Sequence, residues 1–256
     1  MFKKSMIAVL ILLCCMAISS VCLSADSNVL KITANEFTYA NLYKSIDIPS
    51  NAENITLEYY AKFIAGNWYS CGPAVHFWWD DANQVVAIKV NTVVDGKLDL
   101  RFFNPKNRGM VLDGYTPDNL PVILKVKAWY GYKIQLDSEK VRFYIREIEG
   151  DWVELENAAV ARVGTISLPP NGLIIGTGGP IAPPQFEGEG PYFRNSDARK
   201  DGKSTRSVYY DNVVVTVDGK VVFTETFERS IGELESDGWD FAADPINAEP
   251  VFEVTS

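Results

Sequence analysis

Aromatic side chains that could stack on sugar rings recur among charged residues in the central part of the chain. An aromatic ring supplies a large, rigid apolar surface with a polar edge, which suits the apolar face and polar rim of a sugar. Histidine, arginine and glutamate residues near these aromatics, Glu58 among them, would orient such a ring. The sequence therefore predicts a ligand-binding surface made of Tyr60, His76, Trp78, Arg101, Trp129, Arg142 and Tyr144.

The same stretch holds side chains that could act in catalysis on a polysaccharide. His76 is the single histidine of the sequence, and Glu58 and Asp99 alternate with apolar residues as the aromatics do. A glycosidase needs two carboxyl groups at a set separation, and a lyase would need His76 as a base. We predict binding rather than catalysis and keep His76, Glu58 and Asp99 as the catalytic residues of the alternative. One histidine and no Gly-x-Ser-x-Gly motif exclude a histidine-based metal site or catalytic triad.

Strands with two different faces must position these residues. Apolar and polar residues alternate with a period of two between residues 54 and 146, as in Ile55, Leu57 and Tyr59 against Thr56 and Glu58. This period sends one set of side chains into a core and the other set outward. The predicted strands are separated by turn sequences and lie at 55–63, 74–79, 86–91, 97–103, 122–129, 132–136, 141–146, 151–155, 208–217, 220–227 and 250–255.

Other parts of the chain complete this organisation. Asp218-Gly219 is typical of a tight hairpin turn, and residues 231–239 predict at most a short helix. Residues 176–207 are rich in glycine and proline and predict a long loop. The composition favours one domain over residues 26–256, because antiparallel sandwiches of this length are common.

The run Tyr209-Tyr-Asp-Asn-Val-Val-Val-Thr216, which closes the series of strands, resembles concanavalin A-like lectin and laminin G-like jelly rolls. The resemblance implies an all-β fold, an antiparallel two-sheet β-sandwich, and the binding of a polysaccharide or surface glycan. A phenylalanine-glutamate pair and a glycine-tryptophan pair open many such domains. Here Phe227-Glu228 and Gly238-Trp239 lie near the end, which leaves the strand order at the C-terminus open.

The resemblance also bears on metals and on catalysis. Jelly rolls of this kind often hold Ca²⁺, and Asp211 resembles a position they use. The resemblance therefore implies a structural calcium ion at Asp211. Carboxylates and backbone carbonyls suit this hard cation. The hydrolase branch carries Glu-x-Asp-x-x-Glu on one strand, whereas this chain has Glu147-Ile-Glu149-Gly-Asp151. A polysaccharide lyase, a glycoside hydrolase and an adhesive surface protein are the alternatives to a lectin-like domain.

The N-terminal segment and the net charge define the expected compartment and partners. Lys3 and Lys4 precede the apolar run Met6–Ile18, and small residues end at Ala25, which is typical of a secretory signal over residues 1–25. We expect export to the periplasm, the cell surface or the medium, without membrane insertion once the signal is removed. The formal net charge of −9 gives no reason to bind nucleic acid. We expect a monomer; Cys71 is the single cysteine after residue 25, which excludes an intrachain disulfide.

Overall fold

The computed structural model of the chain describes residues 27–35, 40–64, 73–79, 85–91, 97–104, 109–115, 121–122, 124–125, 127–137, 140–155, 168–177, 205–243 and 251–256. Strands dominate the described residues. They are β1 (Val29–Asn35), β2 (Ala40–Ser45), β3 (Ile55–Ile64), β4 (Ala74–Trp78), β5 (Val85–Asn91), β6 (Lys97–Asn104), β7 (Gly109–Tyr115), β8 (Trp129–Leu136), β9 (Val141–Glu147), β10 (Val153–Leu155), β11 (Gly172–Gly176), β12 (Thr205–Val217), β13 (Lys220–Glu225), β14 (Trp239–Ala243) and β15 (Phe252–Thr255). One short helix, α1 (Ile231–Ser236), begins at a capping box formed by Ser230 and Glu233.

The strands form two antiparallel sheets. The eight-stranded sheet has the order β10-β9-β8-β3-β12-β1-β15, with β13 also paired to β12. The seven-stranded sheet has the order β14-β2-β11-β4-β5-β6-β7. The long strand β12 pairs with β3 along one edge, and its other edge pairs first with β1 and then with β13. The prediction of an all-β, antiparallel two-sheet sandwich is therefore confirmed.

The core lies between the inner faces of the two sheets. Alternate residues of β3, including Leu57 and Tyr59, are fully or almost fully buried, as are Phe143 from β9 and Phe77 and Leu42 from the other sheet. Fully burying an aliphatic or phenylalanine side chain stabilises a fold by roughly 1.5–3 kcal/mol. The period-two pattern of the sequence thus directs the apolar side chains of both sheets into one cluster.

A group of buried tyrosines lies in this core and joins the sheets. The rings of Tyr59 and Tyr132 stack with centroids 5.2 Å apart, and the ring of Tyr210 lies 6.4 Å from that of Tyr59. The hydroxyl of Tyr210 donates to the carbonyl of Gly176 on β11 and accepts from the backbone N–H of Ala74 on β4 at 2.8 Å. Tyr210 therefore connects the eight-stranded sheet to the backbone of the seven-stranded sheet.

Several predicted elements are confirmed. The hairpin of β8 and β9, the turn at Asp218 and Gly219 between β12 and β13, and the short helix are all present. Asp218 and Gly219 both have positive φ angles, 48° and 78°, as a turn of this class requires. The last strand, β15, pairs with β1. The C-terminal tail therefore lies beside the first strand.

One predicted strand is wrong. Residues 121–128, as far as they are described, contain no strand, and β8 begins only at Trp129. Lys127 has a φ angle of 65°, which interrupts an extended conformation. The predicted signal segment, Cys71 and all but the ends of the 176–207 loop lie outside the described residues. Within the described part, no helix is long and apolar enough to span a membrane.

Candidate ligand-binding face

The outward side chains of the eight-stranded sheet are gathered into one surface by the pairing of its central strands. Lys62 on β3 lies opposite Trp129 on β8 and Tyr209 on β12. In the next row along the strands, Tyr60 lies opposite Gly131, which lies opposite Arg146 on β9. We call this surface the aromatic face, and it comprises Glu58, Tyr60, Lys62, Trp129, Gly131, Lys133, Tyr144, Arg146, Trp152 and Tyr209.

Lys62 is held between two aromatic rings at one end of the aromatic face. Its Nζ atom lies 4.8 Å from the ring centroid of Trp129 and 4.4 Å from that of Tyr209. Both distances are within the range of cation–π attraction. Partial burial lowers the pKa of Lys62, since desolvation disfavours the charged ammonium group.

Arg146 is held in the same way in the middle of the face. Its Cζ atom lies 5.3 Å from the ring centroid of Tyr60 and 4.3 Å from that of Trp152. Its Nη2 group also donates to the hydroxyl of Tyr60. Burial raises the pKa of Tyr60, and the nearby Arg146 charge opposes that shift. The phenol therefore stays protonated at neutral pH.

Gly131 leaves the space that Arg146 and Trp152 occupy. A Cβ atom at this position would lie 2.9 Å from Cγ of Arg146 and 3.1 Å from the Trp152 ring. A glycine inside a strand often marks the close approach of another group. Because Gly131 has no side chain, the guanidinium group of Arg146 and the indole of Trp152 can lie over β8.

Lys133 forms the third cationic position. It pairs with Glu58 at 2.7 Å and lies 4.3 Å from the Trp152 ring and 5.6 Å from the Tyr144 ring. Burial raises the pKa of Tyr144, whose hydroxyl donates to Gln135 at 3.3 Å. The aromatic face thus consists of the buried ring of Tyr60 and of four half-buried rings, with cations lying between them.

The predicted binding residues are divided between the two sheets. Tyr60, Trp129 and Tyr144 lie on the aromatic face, and Arg142 is on β9 next to it, paired with Asp137 at 3.1 Å. His76, Trp78 and Arg101 belong to β4 and β6 of the seven-stranded sheet. The expectation of one shared surface is therefore wrong. Alternation assigns a residue to a face of its own sheet but does not say which sheet its strand joins.

His76 and Trp78 are buried to the same degree as Tyr60, which is 4% exposed. They are 3% and 5% exposed, and β4 has neighbours on both edges, β11 and β5. His76 shares a row with Ala87 and Arg101 through the pairing of β4, β5 and β6. Trp78 packs with Tyr43 and Ile174.

The predicted catalytic carboxylates are not brought together. Glu58 lies on β3 of the eight-stranded sheet, whereas Asp99 lies on β6 of the seven-stranded sheet. Glu58 is engaged by Lys133. A glycosidase places its two carboxyl groups about 5–9.5 Å apart on either side of one bond. Two carboxylates on strands of different sheets do not offer that arrangement.

Residues beyond the predicted set complete the face. Tyr209 contacts Lys62, which is remote in sequence, and Trp152 contacts Lys133 and the nearby Arg146. Tyr209 precedes the Asp-Asn motif, and its position in the alternation of β12 is the signal that identifies its face. Trp152 falls in the strand predicted at 151–155 and lies just before β10 in the structure, but the sequence did not assign it to a face.

Asp211 lies at an irregularity of β12. The pairing of β12 with β3 shifts between Asp211 and Val214, and Asn212 has a φ angle of 50°, as at a β-bulge. The Oδ1 atom of Asp211 accepts from the N–H of Asn212 at 2.7 Å. Its buried Oδ2 atom has no hydrogen-bond partner among the described residues. Burial raises the pKa of Asp211 to about 6, the Asn212 hydrogen bond opposes the rise and the charge of Glu228 adds to it.

The surroundings of Asp211 offer few further acidic ligands. Across the described part of the chain, no three His, Cys, Asp or Glu side chains lie close enough to hold a metal ion together. The buried Oδ2 atom fits a cation as one donor. Other donors would be backbone carbonyls or waters, which Ca²⁺ accepts readily.

Comparisons with known proteins extend the description of the fold. No family model matches the chain, and no curated protein matches it. A solved alginate lyase of the PL-14 class from Aplysia kurodai is similar over 76% of this chain and 85% of its own, with 12% identity and a TM-score of 0.49. A SAP-like pentraxin from Limulus polyphemus is similar over 91% and 98%, with 12% identity and a TM-score of 0.44.

A laminin structure is also among these likenesses. The LG1-3 region of the laminin alpha2 chain is similar over 77% of this chain and 32% of its own, with 10% identity and a TM-score of 0.42. The two antiparallel sheets of the chain themselves establish the all-β fold class that the sequence predicted.

Proposed function

We propose that the chain is an exported, lectin-like domain that binds a polysaccharide or surface glycan through its aromatic face. The observation that carries the proposal is the gathering of Tyr60, Trp129, Tyr144, Trp152 and Tyr209 on one outward side of the eight-stranded sheet. All of these rings except the buried Tyr60 remain partly exposed, and a contiguous patch of accessible apolar side chains is typical of a contact surface. Half-buried rings held by cations are already ordered, so binding would cost little side-chain entropy.

The oligomeric state and the compartment of the protein are also part of the proposal. We propose that it acts as a monomeric single domain in the periplasm, at the cell surface or in the medium, because residues 1–25 have the composition of a secretory signal. His76, Trp78 and Arg101 do not belong to the proposed surface, since their strands lie in the other sheet.

Loss of single rings should weaken glycan binding. We expect Trp129→Ala and Trp152→Ala each to reduce affinity for the bound polysaccharide about tenfold or more, equivalent to roughly 1.4 kcal/mol or more. Trp129→Phe should retain much of the affinity because it keeps a ring. Affinity electrophoresis or calorimetry with a polysaccharide panel measures this.

A matched control and a contrary outcome accompany this test. Val221→Ala alters an exposed residue of β13 on the same sheet, away from the aromatic face, and should leave binding unchanged. Unchanged binding in both tryptophan variants would refute the proposal. Release of new reducing or unsaturated ends, abolished by His76→Ala, would instead support the enzymatic alternative.

A structural calcium ion at Asp211 is a further part of the proposal, supported by the buried and unpartnered Oδ2 atom. At pH 7 we expect added Ca²⁺ to raise the melting temperature of the protein but not that of Asp211→Asn. In the presence of a chelator, we compare the free energy of unfolding of the unmodified protein with that of Asp211→Asn. The difference should fall by on the order of 2–3 kcal/mol between pH 4 and pH 7.

The sign of this pH effect follows from the raised pKa. The folded protein holds the Asp211 proton up to about pH 6, whereas the unfolded chain releases it near its ordinary pKa. The stabilisation is therefore complete at low pH and is lost as the pH rises through 6. A calcium-induced shift equal in both proteins would show that the ion binds elsewhere.

A further inference from the structure

Among the side chains that the structure describes, five cations lie on the outward side of the eight-stranded sheet, and three of them have a carboxylate partner. Lys31 pairs with Glu253 at 2.5 Å, and Lys133 and Arg142 pair with Glu58 and Asp137 as described above. Among the described residues, Lys62 and Arg146 form no such ion pair. Lys62 and Arg146 each lie between two aromatic rings instead.

Aromatic rings position a cation without neutralising it. Lys62 lies between Trp129 and Tyr209, and Arg146 lies between Tyr60 and Trp152. The lowered pKa of Lys62 indicates that burial is not offset by a nearby negative charge. Within the described part of the chain, the buried Nε–H of Arg146 has no hydrogen-bond acceptor. Buried donors are normally satisfied, so Arg146 favours an acceptor, and the unpaired charge of Lys62 favours an anion.

The two cations are close enough to serve one extended ligand. Lys62 lies opposite Trp129, and Arg146 lies opposite Gly131, two residues further along β8. The two rows of side chains are therefore roughly 7 Å apart along the strands, and Lys62 and Arg146 lie on β3 and β9, the two neighbours of β8. Carboxylates at the borders are Glu58, which Lys133 engages, Glu154, which lies opposite Tyr144, and Asp211, which lies beyond Tyr60 in its row. Among the described residues, none of the three forms an ion pair with Lys62 or Arg146.

We infer that the ligand of the aromatic face is an acidic polysaccharide, with a carboxylate or sulfate group of the sugar bound between Lys62 and Arg146. This inference rests on the proposed function and names the class of glycan. Rings between the cations favour a sugar over an acidic peptide, since a polyanion without rings would leave the aromatic surface uncovered. The net charge of −9 repels an anionic polymer elsewhere, which confines it to this surface.

Matched polymers separate charge from ring structure. We expect polygalacturonate or dextran sulfate to bind at least about tenfold more tightly than its uncharged counterpart, methyl-esterified polygalacturonate or dextran. Which acidic polymer is preferred distinguishes a carboxylate ligand from a sulfate ligand. Affinity should fall as salt rises from 20 to 300 mM in this assay, because exposed charges are screened.

Substitutions of Lys62 and Arg146 test whether these two cations bind the acidic group of the polymer. Lys62→Gln and Arg146→Gln should each remove most of the preference for the acidic polymer, and thermal melts check that both fold. Arg146→Lys should retain part of the preference because it keeps the charge. Lys31→Gln is the matched control, since it removes a cation of the same sheet that already pairs with Glu253, and it should bind like the unmodified protein.

Each contrary result has a distinct meaning. Equal binding of neutral and acidic polymers would overturn this inference and leave the proposed function standing. Binding of polyglutamate as tight as that of polygalacturonate would overturn it, because the surface would then recognise charge without sugar. An equal loss in Lys31→Gln would overturn it as an effect of net charge. Binding of no polysaccharide at all would refute the proposed function and this inference with it.

Discussion

Tyr210→Phe is expected to lower the free energy of unfolding by about 2–4 kcal/mol, because it leaves two buried backbone groups without partners. The Tyr210 hydroxyl accepts from the N–H of Ala74 and donates to the carbonyl of Gly176. Tyr210 is fully buried, and burial raises its pKa, so the hydroxyl remains a donor at all working pH values. Urea denaturation measures the change.

Tyr132→Phe is the matched control for this substitution. Tyr132 is fully buried in the same tyrosine group, yet in the described structure its hydroxyl has no hydrogen-bond partner. Removing an unsatisfied buried hydroxyl should leave stability unchanged or raise it by up to about 1 kcal/mol. Equal destabilisation by the two substitutions would mean that the link between the sheets contributes nothing beyond packing.

Gly172→Ala is expected to destabilise the fold by roughly 3 kcal/mol or more. A Cβ atom at Gly172 would lie 2.2 Å from the backbone carbonyl oxygen of Lys44 and 2.8 Å from Nε1 of Trp78. The first contact is with backbone on the neighbouring strand β2, which cannot move without disturbing the sheet. Denaturant melts of the variant measure the loss.

Gly232→Ala provides the opposite expectation. Nothing lies within 4 Å of a Cβ atom at Gly232, which is in α1. Alanine is favoured over glycine in helices by roughly 0.5–1 kcal/mol, so this variant should be slightly more stable. If Gly172→Ala lowered the stability no more than Gly232→Ala, that result would contradict the close packing of β2 against β11.

The sequence predicted the strands better than their arrangement. Alternation identified β3, β8, β9 and β12 and placed Tyr60 and Tyr144 on the outward side. Trp129 was predicted to face outward only as part of the strand at 122–129, which the described residues do not form. It could not assign strands to sheets, because the period of two depends on one strand alone. His76 and Trp78 show the consequence: their alternation resembles that of Tyr60, but β4 pairs with β5 and β11.

The cations of the aromatic face show a second limit. Lys62 is visible in the sequence as an outward residue, but its contacts with Trp129 and Tyr209 depend on the pairing of β3 with both β8 and β12. These pairings join residues far apart in the chain, and no local pattern encodes them. The types of side chain on the aromatic face were therefore predictable from the sequence, whereas the contacts between its cations and its rings were not.

Three consecutive residues of β12 serve three different parts of the molecule. Tyr209 lies on the aromatic face, Tyr210 hydrogen-bonds to the backbone of the opposite sheet, and Asp211 is the buried acid at the bulge. A single-residue insertion or deletion just before them would exchange the two sides of the strand. It would remove a ring from the surface and a polar link from the core together. This segment therefore constrains how the chain can diverge: length changes can accumulate at the hairpin of Asp218 and Gly219, but not here.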